Sequence, residues 1–272
     1  MVCDHPVLVN GLLVGCGRCI LCRRQKVNEW VIRLEDESSF YRIDQKIFLT
    51  LTYKDDPEDL RKRDLQLFHK RLRKRGLEFK YFVNGEYGEE GGRPHYHGLY
   101  FGMYPDDMIY YKTTSDGYKL YISKTITEIW SHGHVVAGHI MTGSISYVAG
   151  YLFSKDNRLD QKKRQFHLCS KGLGLQYLKK NSEKFKKDLG RLKNGNLINL
   201  PRYYYDKLNL TDEEKDFIKK RVLYNVLREK YVKSKDCEAE YEELIKFQKD
   251  LFASNSQKAR NLQAKRQISS KK

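Results

Sequence analysis

The sequence lacks long apolar runs and several motifs that mark well-known classes of protein. No uninterrupted apolar stretch approaches the roughly 18 residues of a membrane-spanning helix, and the first residues show no secretory signal pattern. The glycine-containing segment 170–174 lacks the Gly-Lys-Ser/Thr ending of a phosphate-binding loop. We therefore expect a cytoplasmic protein that has no membrane anchor and does not hydrolyse ATP.

Acidic residues are few in comparison with basic ones. The 272 residues include 52 Lys and Arg but 35 Asp and Glu, which gives a net charge of +17. This excess favours a polyanionic partner, with nucleic acid as the first candidate. The alternative is a basic surface that only keeps the protein soluble. Since 40% of the residues are hydrophobic, the chain can bury a core and form one large domain with an appendage.

The cysteines cluster near the N-terminus. Because no secretory signal precedes them, we expect reduced thiols rather than disulfides. Four cysteines can supply thiolates to a structural zinc ion, with His5 as a substitute ligand: Cys3, Cys16, Cys19 and Cys22. The pattern lacks the two separated Cys-x-x-Cys pairs of many zinc sites. The alternative is therefore a set of small buried residues at the start of a helix, which apolar spacing predicts over 23–41.

The segment 85–101 contains a His-x-His pair in a predicted β-hairpin. Its glycine-rich turn, 88–92, lies between segments that are rich in aromatic and apolar residues. Residues two apart in a strand point to one face, so His95 and His97 project together, and Glu86 lies opposite His95 across the hairpin. Two imidazoles and a carboxylate suit a divalent ion such as Mg, Mn or Zn. The alternative is a pair of structural histidines.

Other segments have a regular pattern as well. We predict a central strand over 46–53, a helix over 64–75, a short helix over 122–130 and a strand over 134–140. Asp64 is expected to cap the helix over 64–75, and Gly76 to end it. The segment 104–121 has no clear period, so we expect a loop or insertion there.

A second His-x-His pair follows the short helix. It comprises His132 and His134, separated by Gly133. Because the glycine suggests a turn, we interpret this pair as part of a loop rather than as the metal site.

The segment 143–155 is predicted to be a helix with two different faces. Ile145, Val148, Ala149 and Leu152 follow the spacing of a face that packs on a core. Tyr147, Tyr151 and Lys155 are spaced by four and lie on another face. A phenol has a pKa of about 10, so a tyrosine needs help to act as a nucleophile. A bound divalent ion can give that help by polarising a phosphodiester, with Lys155 assisting the phosphate charge. Ordinary surface tyrosines are the alternative.

Basic side chains are concentrated in two regions. One is the outer face of the helix over 64–75, and the other is the segment 162–193, where aromatic residues are interleaved. Such clusters can follow a phosphate backbone while aromatic rings stack on unpaired bases, although a solvated face is the alternative. The candidate DNA contacts are Lys70, Arg71, Arg73, Lys74, Lys162, Lys163, Arg164 and Lys171.

Together the motifs resemble those of the HUH endonuclease superfamily, most closely the rolling-circle replication initiators of microvirus-type (gokushovirus-like) single-stranded DNA phages. The resemblance rests on Phe48-Leu49-Thr50-Leu51-Thr52, Arg93-Pro94-His95-Tyr96-His97-Gly98, the tyrosine pair with Lys155, the cysteine cluster, and Pro201-Arg202-Tyr203-Tyr204-Tyr205. One departure is Tyr96, because the middle residue of the His pair is usually aliphatic or otherwise apolar.

The resemblance implies an α+β fold in which a central antiparallel five-stranded sheet is flanked by helices. This HUH domain would comprise residues 1–208, and 209–272 would form a basic helical C-terminal extension. Within the extension, Thr211 and Glu214 form a capping-box pattern that predicts a helix start.

The resemblance also implies an activity. A metal-dependent (Mg or Mn) endonuclease, with His95, His97 and Glu86 as ligands, would nick one strand at a phage origin through Tyr147 or Tyr151. This reaction would leave a 5′-phosphotyrosyl DNA intermediate and a 3′-OH primer for rolling-circle replication, and the displaced strand would later be rejoined. The implied partners are single-stranded and supercoiled double-stranded origin DNA, host helicase and host DNA polymerase, in the bacterial cytoplasm. Alternatives are a plasmid or transposon relaxase with the same chemistry and a non-catalytic zinc-containing nucleic-acid binder.

Overall fold

A computed structural model describes residues 3–9, 12–88, 92–154, 165–188, 191–193 and 196–215. Residues Trp30–Asn181 form one compact unit, and the described parts of Met1–Glu29 and Ser182–Lys272 form another. In chain order, the elements are β1 (Val7–Val9), β2 (Leu12–Val14), α1 (Ile20–Ser38), a short 3-10 helix (Ile43–Gln45), β3 (Lys46–Thr52), α2 (Lys62–Lys74), β4 (Lys80–Tyr87), β5 (Pro94–Phe101), β6 (Met108–Thr113), β7 (Lys119–Ser123), α3 (Lys124–Trp130), β8 (Val135–His139), α4 (Thr142–Ser154), β9 (Phe166–Cys169), α5 (Leu175–Lys180), α6 (Ser182–Asp188), β10 (Arg191–Lys193), β11 (Asn196–Ile198) and α7 (Arg202–Lys207).

The unit Trp30–Asn181 is built on one antiparallel sheet with strand order β6-β7-β8-β3-β5-β4-β9. Strand β3 lies in the middle, as its β-branched and apolar sequence predicts, and β5 pairs with it over its whole length. The predicted strand over 134–140 and the predicted helix over 122–130 are confirmed as β8 and α3. The α+β class is therefore confirmed.

The prediction of five strands is wrong, because the sheet has seven. Strands β6 and β7 occupy the segment 104–121 that we expected to be a loop or insertion. Most side chains of β6 are exposed, since this strand forms one edge of the sheet. A strand that is solvated on both faces needs no alternation of apolar and polar residues, so its sequence has no strand period.

The two faces of the sheet carry different layers. Tyr96 shares one face, the core face, with Leu49 and Leu51 of β3, and helices α2 and α3 cover it with apolar side chains such as Phe68 and Trp130. His95 and His97 point to the opposite face, which we call the histidine face. Helix α4 and the part of α1 from Trp30 onward pack there, as the Trp30–Phe82 ring contact at 4.8 Å illustrates.

Helix α2 confirms the predicted position of the helix but not its cap. Arg61 is the residue that precedes the first turn, and its side chain makes no capping hydrogen bond. Asp64 instead lies inside the helix and accepts a hydrogen bond from the Tyr53 hydroxyl at 3.0 Å. The prediction that Asp64 caps the helix is therefore wrong, because tertiary packing uses its carboxylate elsewhere. Gly76 ends the helix as predicted, with φ of 82°.

Helix α4 places its predicted apolar stripe on the sheet. Ile145, Val148 and Ala149 are buried. The buried side chain of Asn84 on β4 donates a hydrogen bond from Nδ2 to the Val148 carbonyl oxygen at 2.6 Å. This contact fixes α4 against the strand that carries Glu86.

The second unit contains two short hairpins, β1–β2 and β10–β11, and the helices α6 and α7. The buried rings of Phe185 and Tyr204 stack, with centroids 6.4 Å apart. The predicted capping box is present: Thr211 Oγ1 accepts from the Glu214 N–H at 3.1 Å, and Glu214 Oε2 accepts from the Thr211 N–H at 2.7 Å. The predicted helices beyond residue 215 lie outside the described residues. Every helix within the described ranges is too short or too polar to cross a membrane.

Candidate active site

The β4–β5 hairpin brings together the three predicted metal ligands. Glu86 pairs directly with His95, so its carboxylate points to the histidine face between the two imidazoles. Glu86 Oε1 lies 2.7 Å from His95 Nε2 and 3.1 Å from His97 Nε2. Each residue offers one ligand atom, and these atoms lie within 4.8 Å of one another. The arrangement therefore concentrates three donors on one point.

The other ring nitrogen of each histidine has a partner that orients the ring. His95 Nδ1 lies 3.0 Å from the Arg93 carbonyl oxygen, and His97 Nδ1 lies 3.1 Å from Thr50 Oγ1. Because a carbonyl can only accept, His95 carries its proton on Nδ1 when neutral, and Nε2 keeps its lone pair for a ligand. Outer contacts of this kind are typical of metal-binding histidines. The donor set therefore fits a divalent ion.

The charges of the three groups are coupled. Burial raises the pKa of Glu86, but hydrogen bonds from both histidines outweigh burial and hold that pKa below its usual value. Burial lowers the pKa of His97, and the hydrogen bond to Glu86 compensates for only part of this effect. For His95, burial also lowers the pKa, but the hydrogen bonds to Glu86 and Arg93 raise it above the usual value. An ionised carboxylate and a neutral imidazole are the forms that bind a cation.

Helix α4 places both predicted tyrosines against His97. The Tyr151 ring stacks parallel to the His97 ring at 5.2 Å and 4°, and the Tyr147 ring meets it edge-on at 5.5 Å. The two tyrosine rings are 4.9 Å apart. Tyr147 is 52% exposed, whereas Tyr151 is half-buried. Burial, the contact with Tyr147 and the negative charge of Glu86 all raise the pKa of Tyr151, so its hydroxyl is protonated at neutral pH.

Comparison with known proteins shows what this site belongs to. The family model for the replication-associated protein ORF2 matches residues 46–157, which include β3, the three ligands and both tyrosines. The chain is 36% identical over 218 residues to the replication-associated protein VP4 of Bdellovibrio phage phiMH2K, covering 74% of this chain and 69% of that protein. The chain belongs to the family of phage replication-associated proteins. This result confirms the predicted relation to gokushovirus-like replication initiators.

Two further members of the family are more distant. Identity is 32% over 195 residues with the replication-associated protein ORF2 of Spiroplasma virus 4, covering 64% of this chain. It is 28% over 246 residues with the replication-associated protein ORF4 of Chlamydia phage 1, covering 83% of this chain. The matches span 60% and 61% of the lengths of those two relatives, less than two thirds. No solved structure matches the chain.

Two residues of the site were not predicted from the sequence of this replication-associated protein. Phe48 stacks on the His97 ring at 5.8 Å and contacts Tyr147 edge-on at 6.4 Å. Thr50 contacts His97 directly, as described above. Both lie on the face of β3 that pairs with the histidine face of β5. The alternation within β3 was the available signal, because it separates Phe48 and Thr50 from the apolar residues between them.

Tyr96 departs from the usual pattern because it serves the opposite face. Its buried hydroxyl accepts a hydrogen bond from the Arg61 N–H at 2.9 Å and lies 2.8 Å from the Tyr53 hydroxyl. It also donates to the Arg61 carbonyl oxygen at 3.0 Å. Tyr96 therefore anchors the start of α2 and does not contact the three ligands.

Replacing Tyr96 by phenylalanine should lower the free energy of unfolding by about 1–3 kcal/mol, because buried polar groups lose their partner. The affinity for Mn²⁺ should not change, since the side chain lies on the core face. Urea denaturation and calorimetric metal titration measure the two quantities. Tyr111→Phe, at an exposed position on β6, is the control and should change stability by less than about 0.5 kcal/mol. Weaker metal binding at unchanged stability would contradict this assignment.

The predicted DNA contacts are not all beside the tyrosines. Lys70, Arg71, Arg73 and Lys74 lie on α2, which covers the core face rather than the histidine face. Two of them have contacts within the protein. Arg71 donates to the Ile129 carbonyl oxygen and to Ser131 Oγ, and the Arg73 guanidinium lies over the Phe79 ring.

The remaining predicted basic residues follow α4. Lys155, Lys162, Lys163 and Arg164 lie outside the described residues. Lys171 is exposed in the turn that precedes α5. In the same turn, the Gly174 N–H donates to Glu37 Oε2 at 2.9 Å, so this glycine allows close approach to a side chain of α1.

The second His-x-His pair has a structural role next to β3. The carbonyl oxygens of His132 and His134 accept hydrogen bonds from the N–H groups of Lys54 and Thr52. A Cβ atom at Gly133 would lie within 2.6 Å of backbone atoms of this segment, which explains the glycine. Within the part of the chain that the structure describes, neither histidine belongs to a group of three metal-binding side chains.

Proposed function

We propose that this protein is a metal-dependent endonuclease and strand transferase with the HUH fold. It nicks one strand at the origin of a circular phage genome and thereby starts rolling-circle replication. The observation that carries the proposal is that His95 Nε2, His97 Nε2 and Glu86 Oε1 converge on one point while both tyrosine rings contact His97. Membership of the replication-associated family supports the biological setting.

The ligand set suits Mg²⁺ or Mn²⁺, held by His95, His97 and Glu86. When bound, such an ion would polarise the scissile phosphodiester and stabilise the charge that develops on its oxygens. The Thr50 hydroxyl and the Arg93 carbonyl keep both imidazoles oriented, and the hydrogen bond from Asn84 to α4 keeps the tyrosines at a fixed distance from them. This preorganisation is the contribution of the protein scaffold.

The reaction follows from the nucleophile. The oxygen of Tyr147 or Tyr151 attacks phosphorus and forms a P–O bond, while its phenolic proton passes to solvent. The bond from phosphorus to the 3′ oxygen breaks, and that oxygen takes up a proton to become a 3′-OH primer. The 5′ phosphate stays on the tyrosine. Attack by a 3′-OH on the phosphotyrosyl bond reverses these changes and rejoins the strand.

The basic residues would bind the DNA on either side of the cut. Lys155 is proposed to assist at the scissile phosphate, and Lys162, Lys163, Arg164 and Lys171 to hold the single strand. The cations on α2 lie on the other face of the sheet from the three ligands, so Lys70 and Lys74 would contact more distant DNA, such as the supercoiled duplex. Host helicase and polymerase, the bacterial cytoplasm and a catalytic domain of residues 1–208 complete the proposal.

The test is covalent attachment to DNA. Full-length protein mixed with single-stranded DNA that spans the phage origin should give a protein–DNA band on a denaturing gel in Mn²⁺ or Mg²⁺. EDTA should abolish the band, and a scrambled DNA of the same composition should give none. Mapping the cut in the origin distinguishes an initiator from a plasmid or transposon relaxase. If the protein binds the origin DNA but forms no adduct in either metal, a non-catalytic binder is the better account.

A further inference from the structure

Four thiols converge near the N-terminus, in the unit that does not contain the three ligands. The Sγ atoms of Cys3, Cys16, Cys19 and Cys22 all lie within 4.8 Å of one another. A tetrahedral zinc ion with Zn–S distances of about 2.3 Å holds its sulfur atoms about 3.8 Å apart. The Sγ atoms of Cys3 and Cys19 are 3.8 Å apart. The cluster therefore already has the size of a tetrahedral sulfur site.

The backbone around the cluster supplies hydrogen bonds to sulfur. The N–H groups of Cys16, Cys19 and Cys22 donate to the Sγ atoms of Cys3, Cys16 and Cys19 at 3.3, 3.3 and 3.4 Å, and the Arg18 N–H donates to Cys16 at 3.4 Å. Such donors stabilise negative thiolates, as outer contacts do around metal ligands. The turn between Cys16 and Cys19 depends on Gly17, whose φ is 72°. Small buried residues at the start of a helix would not need these donors.

We infer that the four cysteines hold one structural zinc ion. Four protein ligands fill a tetrahedral site and leave no position for a substrate, which distinguishes structural from catalytic zinc. Thiolates also select zinc over Mg²⁺ and Mn²⁺, so this site and the His95–His97–Glu86 site take different ions.

The zinc ion would stabilise an N-terminal segment that has little other means of folding. Cys3 precedes the β1–β2 hairpin, while Cys16, Cys19 and Cys22 follow it and enter α1. Each strand of this hairpin has three residues, and an isolated two-stranded hairpin is at best marginally stable in water. A metal bond across the ends of the hairpin adds binding free energy to folding.

The experiment measures zinc in reduced full-length protein that was purified without a metal-chelate column. After dialysis against EDTA at a concentration that strips Mn²⁺ from the histidine site, we expect about one zinc per chain by mass spectrometry. Cys19→Ser should reduce this value to near zero. The matched control is Cys169→Ser, because Cys169 is a partly buried cysteine on β9 that belongs to no such cluster among the described residues. His97→Ala should also keep its zinc.

Cobalt substitution gives a second readout that does not depend on the folding of a serine variant. Co²⁺ in the wild type should develop a thiolate charge-transfer band, and Cys16→His should keep the metal but lose about a quarter of that band. Neither measurement needs DNA, so the result is independent of nicking. The inference is overturned if reduced wild type neither retains zinc nor develops the cobalt band, or if Cys19→Ser keeps as much zinc as Cys169→Ser.

Discussion

His97→Ala is expected to abolish tight binding of Mn²⁺ and reduce the rate of adduct formation by about three orders of magnitude. The variant removes one of three ligands, and loss of a mere outer contact typically weakens metal binding by about 10- to 100-fold. Metal stabilisation of the transition state is worth several kcal/mol, and about 1.4 kcal/mol corresponds to tenfold in rate. Calorimetric titration with Mn²⁺ and time courses on denaturing gels measure the two effects.

The sequence contains its own control for this experiment. His134 is also the second member of a His-x-His pair, but it is exposed and belongs to no group of three metal-binding side chains in the described ranges. His134→Ala should therefore keep both metal binding and adduct formation. Equal losses in His97→Ala and His134→Ala would contradict the assignment of the metal site.

Thr50→Val tests whether the outer contact positions His97. Valine keeps the β-branched shape of threonine but removes the hydroxyl that lies 3.1 Å from His97 Nδ1. Mn²⁺ affinity should fall by about 10- to 100-fold, and excess Mn²⁺ should restore adduct formation. Restoration by metal distinguishes a positioning role from general damage to the sheet, which added metal would not repair.

Local patterns were sufficient to predict the hairpin that carries the three ligands. Glycines 88–92 mark the turn, and the two-residue period of a strand places His95 and His97 on one face. Antiparallel pairing across a short turn then brings Glu86 opposite His95. All of these signals lie within about 20 residues of sequence, so no long-range information was needed.

The rest of the site depends on pairings that a single sequence does not reveal. Thr50 is 47 residues from His97, and Asn84 is 64 residues from Val148. These pairs meet only because β3 lies beside β5 and α4 packs on β4. Strand order is set by the burial of the whole sheet, and β6 shows the limit of local reasoning, since an exposed edge strand has no period to detect.

The largest effect on chemistry is expected from removing both tyrosine hydroxyls. The Tyr147→Phe, Tyr151→Phe double variant should give no detectable covalent adduct with origin DNA. Phenylalanine keeps the rings that pack against His97, so Mn²⁺ affinity and DNA binding should be retained. Loss of adduct at unchanged metal affinity separates the nucleophile from the metal site, which no histidine variant can do.

The single variants should differ from each other. Tyr147 is 52% exposed and open to an incoming strand, whereas Tyr151 is half-buried, and its hydroxyl is held in the protonated form because burial, Tyr147 and the charge of Glu86 raise its pKa. We therefore expect Tyr147→Phe to slow the first cut more than Tyr151→Phe does. Both variants should still form an adduct, because a second phenol lies one helical turn away. Both should fail to transfer the linked strand after a second cut, because each tyrosine can hold only one DNA end.

The control for the tyrosine series is Tyr110→Phe, at an exposed position on the edge strand β6. This variant should cut and transfer like wild type. Mass spectrometry of the nuclease-digested adduct locates the linked residue in each variant. An adduct in the double variant would show that the attacking oxygen belongs to another residue, while its absence in both single variants would show that the two tyrosines act as one unit in the first cut.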